Sequence, residues 1–386
     1  MQYSDLPSPC YVVDEVLVEQ NLKILKGVMD RTGAKILLAQ KAFSMYAVYP
    51  LIGKYLSGAT ASGLYEARLG FEEMQQPLGK EGKACENHVF SPAYRTEEFD
   101  ELLHYADHIV FNSFSQVDKF ATKALACGKT TGLRINPQCS TQKGPAIYDP
   151  CAPGSRLGVD IDTFQKEYQS RKHLISGLHF HTLCEQDADD LERTLDAVEN
   201  KFGKWLKDFS WINFGGGHHI TRPGYDMERL ERCICRIQEK YGLMVYLEPG
   251  EAVALNAGYL VSTILEIKKS DGDIAILDTS AACHMPDVLE MPYRPTVRDS
   301  GGAGESSYHY RLAGPTCLAG DIIGDYSFSH PINEGDKLVF EDMAIYSMVK
   351  NNTFNGIPLP AIVLKTKEGE YKILKQFGYG DFKSRL

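Results

Sequence analysis

Eight short apolar runs, each followed by a stretch with helical spacing, fill the chain between residues 35 and 248. No other feature constrains the fold as strongly. The runs are 35–41, 58–62, 88–91, 108–112, 131–136, 175–181, 211–214 and 243–248. Between them, segments such as 188–206 repeat Leu191, Leu195, Val198, Phe202 and Trp205 three or four residues apart, as one apolar helix face requires. Eight strand-then-helix units over about 220 residues fit a closed (β/α)8 TIM-like barrel better than an open doubly wound sheet, which usually has fewer repeats. The fold class is therefore α/β.

Beyond residue 248 the texture changes. Runs at 259–267, 274–278, 337–340, 361–365 and 371–376, with turns at Asp271-Gly272 and Glu334-Gly335, predict a mostly β second domain. The early run 10–13 reads as a further strand of that domain, and Asp14 as the cap of a helix with Val18, Leu22, Leu25 and Met29 on one face. The expected boundaries are a barrel at 16–256 and a β domain at 257–386 joined by 1–15. A net charge of -10 and the lack of any basic run argue against nucleic acid and suit a cationic small substrate. No apolar run approaches the ~20 residues that span a bilayer. Ten cysteines without a CxxC pair read as reduced thiols of a cytoplasmic protein.

A barrel of this kind builds its active site at the carboxyl ends of its strands, so the strand ends decide the chemistry. Lys41 ends the first run, His179 and His181 share a face at the end of the sixth, Gly215, Gly216 and Gly217 follow the seventh, and Glu248 ends the eighth. Taken singly, each has an ordinary explanation: a lysine snorkelling to water, a satisfied core histidine, a tight turn, a solvated terminus. Together they suit pyridoxal 5'-phosphate, which needs a lysine for its aldehyde, backbone N–H groups for its phosphate and an acid beside its ring nitrogen.

The motifs LPSPCYVVDE, LLAQKAF, ASGLYEARLG, GLHFHTLCE, INFGGGHH, LEPGEAV, LAGPTCLAGD and EDMAIYSMVKNNTFNG span nearly the whole chain. In that order they resemble the barrel-type pyridoxal phosphate decarboxylases of basic amino acids, which share their barrel with alanine racemase. The resemblance implies that Lys41 bonds the cofactor aldehyde, Glu248 contacts the pyridine nitrogen and His181 stacks on the ring. It places Gly216 and Gly217 in the phosphate loop and Tyr346 on the phosphate. Cys317, in GPTC, matches a cysteine that the other subunit of a dimer sets beside the substrate, where it is implicated in protonation.

Three positions depart from that pattern. Leu183 and Cys184 stand where relatives have glycine and serine, Glu251 replaces the arginine after EPG, and Leu318 replaces an acid after the GPTC cysteine, with Asp321 further on. With the stretch HMPDVLEMPYRP, these features look like the carboxynorspermidine/carboxyspermidine decarboxylase branch, whose product belongs to polyamine biosynthesis. Its cationic substrate arm gives Glu251, Asp287 and Asp321 an electrostatic role in binding. Diaminopimelate or another basic amino acid is the alternative substrate on the same fold. The HFH spacing also occurs in barrel metallohydrolases, with His218, His219 and His284 as further ligands. There, however, the pair ends the first strand rather than the sixth, so no metal is expected. A non-catalytic cofactor-binding barrel would lack the second domain, and EPGE disfavours a racemase.

Overall fold

The computed structural model describes residues 5–142, 148–270 and 272–386. They form two compact units, Glu19–Val253 and Met1–Val18 with Ala254–Leu386. After β1 (Cys10–Asp14), eight strands build the first unit: β2 (Lys35–Ala39), β3 (Gly58–Ala61), β4 (Glu86–Phe90), β5 (His108–Phe111), β6 (Thr130–Arg134), β7 (Gly177–His179), β8 (Trp211–Asn213) and β9 (Met244–Leu247). Each pairs in parallel with the next, and β9 returns to β2 through Lys35–Tyr246 and Ile36–Leu247, closing the barrel. Leu37, Val110, Trp211 and Tyr246 come from strands that are mostly not neighbours yet form one buried cluster, so they meet across the barrel interior. The Trp211 indole fits there because β6 and β7 offer Gly132 and Gly177; a Cβ on Gly177 would lie 2.0 Å from the ring.

The strands are shorter than the apolar runs. The ladder of β2 stops at Ala39, where the Ala42 N–H returns to the Ala39 carbonyl (3.1 Å), so Lys41 stands in a turn two residues beyond the strand. His181 likewise lies two residues past β7 and Glu248 one past β9. Loop carbonyls take over the backbone donors here: Ala39 N–H donates to Pro249 O (3.2 Å) and Glu248 N–H to Gly215 O (2.8 Å). The expected side-chain alternation thus holds while the ladder does not.

The second unit is a nine-stranded mixed sheet. Its strands are β1, β10 (Gly258–Ser270), β11 (Gly272–Leu277), β12 (Ser300–Gly301), β13 (Tyr308–Ala313), β14 (Ile322–Phe328), β15 (Lys337–Glu341), β16 (Ala361–Lys365) and β17 (Tyr371–Lys375). β1 lies inside it, antiparallel to β10 and parallel to β16. Asp14 caps the following helix, accepting the N–H groups of Val16 (3.0 Å) and Leu17 (3.3 Å). The turn expected at Asp271-Gly272 includes Asp271, which lies outside the described residues.

Three strands, β12 to β14, escape the sequence pattern. Gly324 and Asp325 interrupt β14 with poor strand formers. Both have local uses: Gly324 gives way to the Arg294 stem, and Asp325 takes a two-point ion pair from Arg311 on β13 (2.8 and 3.0 Å). All ten cysteines are free thiols, and no described helix is long and apolar enough to cross a membrane.

Candidate active site

Past the carboxyl ends of its strands the barrel holds a cavity of about 270 Å³, whose wall includes Lys41, Phe90, Arg134, His179, His181 and Glu248. Lys41 exposes its side chain to that space but makes no hydrogen bond or ion pair with any described residue. Removal from bulk water lowers the pKa of its amine, and the nearby Arg134 charge adds to the effect; Glu248, Cys184 and Glu66 oppose it. A free amine is the nucleophilic form.

Glu248 is 6% exposed and doubly held. Asn213 donates to its Oε1 (2.7 Å), and its Oε2 lies 3.3 Å from His179 Nε2. Burial by itself would raise its pKa, but these two contacts outweigh burial and hold the carboxyl below the usual range. Burial also keeps His179 below its usual pKa. A neutral imidazole therefore faces an anion, and the pair leaves a fixed negative charge deep in the cavity.

His181 is oriented from both ends. Gly216 N–H donates to its Nδ1 (3.0 Å), and Arg134 donates to its carbonyl (3.1 Å). Burial, reinforced by Lys41 and Arg134, pushes its pKa well down, in keeping with an Nδ1 that accepts. The glycine triplet is required sterically. A Cβ on Gly216 would meet Glu248 O at 2.5 Å, and one on Gly217, at φ +80°, would meet Leu183 O at 2.0 Å. The expectation of successive free N–H groups needs correction, because Gly215 donates to Asn213 and Gly216 to His181. Of the three, only Gly217 donates to no described residue.

Glu251 does not line this cavity; its Oε2 lies 4.0 Å from His219 Nε2. Arg134 and Asn213 escaped the sequence reading. Applying the strand-end rule to every strand, with the tighter ends seen here, finds Arg134 as the last residue of β6 and Asn213 as the last of β8.

The remaining candidates belong to the second unit. Cys317 is exposed on a loop, its N–H held by Asn355 Oδ1 (2.8 Å). Asp321, expected to face the substrate, is instead 2% exposed, with both oxygens engaged. Ser280 Oγ (3.0 Å) and Ala282 N (3.3 Å) donate to Oδ1, while Thr316 Oγ1 (2.7 Å) and N (3.3 Å) donate to Oδ2. It fixes the loop that presents Cys317. Tyr346 sits at φ +52°, a strained value for a tyrosine. Asp287 shares Lys350 with Glu290, two carboxylates against one ammonium.

The donor set fits pyridoxal phosphate: a lysine without a partner among the described residues, a deep carboxylate held ionised, and a glycine cradle too tight for any side chain. His179, His181 and Glu248 could also present three ligand atoms to a metal, all within 4.8 Å of one another. Arg134 puts positive charge in the same cavity wall, which disfavours a cation there.

Comparison with known proteins agrees. The model of the family described as "Pyridoxal-dependent decarboxylase, C-terminal sheet domain" matches residues 10–344. The carboxynorspermidine/carboxyspermidine decarboxylase of Campylobacter jejuni is 40% identical over 396 residues, covering 100% of both chains. The carboxyaminopropylagmatine decarboxylase of Synechocystis is 41% identical over 385 residues, covering 99% of this chain and 96% of that one. A crystal structure of the Campylobacter jejuni carboxynorspermidine decarboxylase, solved with norspermidine, superposes with a TM-score of 0.89 at 40% identity over 99% of this chain and 100% of the other. The chain belongs to the pyridoxal-dependent decarboxylases, a family of carboxy-lyases.

Proposed function

We propose that the chain decarboxylates carboxynorspermidine, carboxyspermidine or both, in polyamine biosynthesis, with pyridoxal phosphate held at Lys41. The observation that carries this reading is the cavity in which an unpaired Lys41 faces an ionised Glu248. When bound, the cofactor supplies an electron sink for the pair left at the substrate carbon as CO2 departs. Glu248 would keep the ring nitrogen protonated, and its own bonds to Asn213 and His179 stop it from turning away. His181, clamped at Nδ1 and at its carbonyl, offers a fixed face for stacking. Gly216 and Gly217 leave room for a phosphate, to which Gly217 would donate its N–H, with Tyr346 as the further phosphate ligand that the resemblance implies. The amine of Lys41 takes and returns protons at the substrate nitrogen, and the thiol of Cys317 delivers the proton that replaces CO2.

The substrate arm would be recognised by acid. Asp287 and Glu290 carry one charge more than Lys350 neutralises, and Glu251 is an acid where an arginine would repel an ammonium. Asp321 serves by holding the Cys317 loop. A homodimer that shares its active sites across the interface, working in the cytoplasm, completes the proposal. A second reading is favoured by the 41% identity to the carboxyaminopropylagmatine enzyme: the same acidic groups would take a terminal guanidinium.

The test is turnover of the loaded protein on carboxynorspermidine, carboxyspermidine, carboxyaminopropylagmatine, diaminopimelate, ornithine and arginine. CO2 release chiefly from a carboxylated triamine is the expected result. Preference for the guanidine-bearing compound would establish the second reading, and preference for diaminopimelate or a simple amino acid would overturn both.

A further inference from the structure

Arg134 is the one strongly basic group whose place in the cavity the chemistry above leaves unexplained. It is 6% exposed, and no carboxylate of a described residue lies within ion-pair distance of it. Its guanidinium lies 4.6 Å from the centre of the Phe90 ring, and one of its N–H groups is spent on the His181 carbonyl. Burying an unpaired charge is costly, so a position that keeps one needs a use for it. Gripping the substrate carboxylate is a poor use. An ion pair to that carboxylate is strongest before CO2 leaves, so it would stabilise the ground state over the transition state. The arginine is also held against an aromatic face and a backbone carbonyl, with its fork already partly committed.

We propose that Arg134 is a positioning residue: its buried guanidinium stands in the same cavity wall as Lys41, where it sets the charge around the amine, and its hydrogen bond holds His181 in place. This rests on the reading of Lys41 as the cofactor-bonding lysine. The groups that act on the Lys41 amine are Arg134, which disfavours its protonation, and Glu248, Cys184 and Glu66, which favour it. After burial, which weighs most, the Arg134 charge acts on the His181 ring in the same sense, disfavouring its protonation. Among these groups Arg134 supplies the positive charge.

The experiment measures acylation of Lys41 against pH, by peptide mass spectrometry, in the whole chain freed of cofactor. The parent is compared with Arg134→Gln and Arg134→Lys. Loss of the cation in Arg134→Gln should move the labelling midpoint up by roughly one pH unit, slowing labelling up to about tenfold at pH values below the parent's midpoint, while Arg134→Lys should stay near the parent. The absorption spectrum of the loaded protein, followed against pH, should shift in the same order. An unchanged midpoint in Arg134→Gln, with thermal unfolding like the parent's, overturns the proposal. So does a rise in KM alone in both variants, which would make Arg134 a carboxylate ligand. Should Arg134→Gln fail to fold, Arg134→Lys and Arg134→Met supply the same comparison. If pyridoxal phosphate never attaches to Lys41, the functional reading fails, yet the labelling midpoints still decide the role of Arg134.

Discussion

The barrel carries the same residue types at its two ends and uses them in opposite ways. At the mouth, His179, His181 and Glu248 stand beside Lys41; at the foot, His88, His108 and Glu86 stand beside Lys35. At the foot the lysine is paired. Lys35 donates to Glu86 Oε1, whose other oxygen lies 3.1 Å from His88 Nε2, and the two imidazoles stack with centres 4.0 Å apart. Burial opposes ionisation of Glu86, but those bonds hold its pKa down at about 2. At the mouth the acid is equally well held, but the lysine has no partner among the described residues. The difference teaches that reactivity here comes from leaving one lysine without a partner among the described residues, since the residue types at the two ends match.

Replacing the two lysines should break the comparison in opposite directions. Lys41→Ala is expected to abolish turnover, by at least about 10³-fold, while leaving the thermal midpoint unchanged or higher, because a desolvated unpaired amine contributes nothing to stability. Turnover and calorimetry on one preparation check both halves. A large loss of stability would mean that the mouth is as structural as the foot.

Acid should sharpen the contrast next. Burial lowers His108, at the foot, to about 3 and His218, beside the glycine triplet, to about 4. Both lie below the unfolded value of about 6.5, so as pH falls below that value the unfolded chain takes up protons first. Stability is then full above about pH 6.5 and is lost on the way down, by on the order of 3 kcal/mol for each group by pH 4. Denaturant titrations at pH 7, 5.5 and 4 measure the slope, and His108→Gln should remove the foot's share of it.

The smallest effect belongs to Lys35→Ala. The pair it breaks is about one-quarter to one-third exposed, so after screening the expected cost is roughly 1–2 kcal/mol. The folded fraction should turn over within about twofold of the parent. A larger fall in turnover than in stability would tie the foot to the chemistry.

The barrel was legible because its signal is repeated eight times and each repeat carries period-two side chains. Lys41, His181 and Glu248 were legible because they keep the inward parity of their strands even after the ladder has stopped. What parity cannot show is which backbone donors are spent; Gly216 looks free in GGG and is committed to a ring nitrogen thirty-five positions away. Asp321 was misread for a similar reason. An acid four residues beyond a cysteine looks available, whereas its four bonds are to Ser280, Ala282 and Thr316. β14 was hidden because Gly324 and Asp325 are chosen for Arg294 and Arg311, partners that only the folded sheet brings near.

The place of β1 bears on how the molecule is made. A ribosome delivers Cys10–Asp14 first, yet its neighbours β10 and β16 emerge some two hundred and fifty and three hundred and fifty residues later. The second sheet therefore cannot be completed piecemeal during synthesis and waits for the far end of the chain. Once formed, it holds Cys10–Asp14 and Ala361–Lys365 together as adjacent strands, Asp14 clasped by Lys365 at 2.8 Å. Trimming the first fifteen residues would take a strand from the sheet's interior, where a cut at the other terminus would fray only an edge.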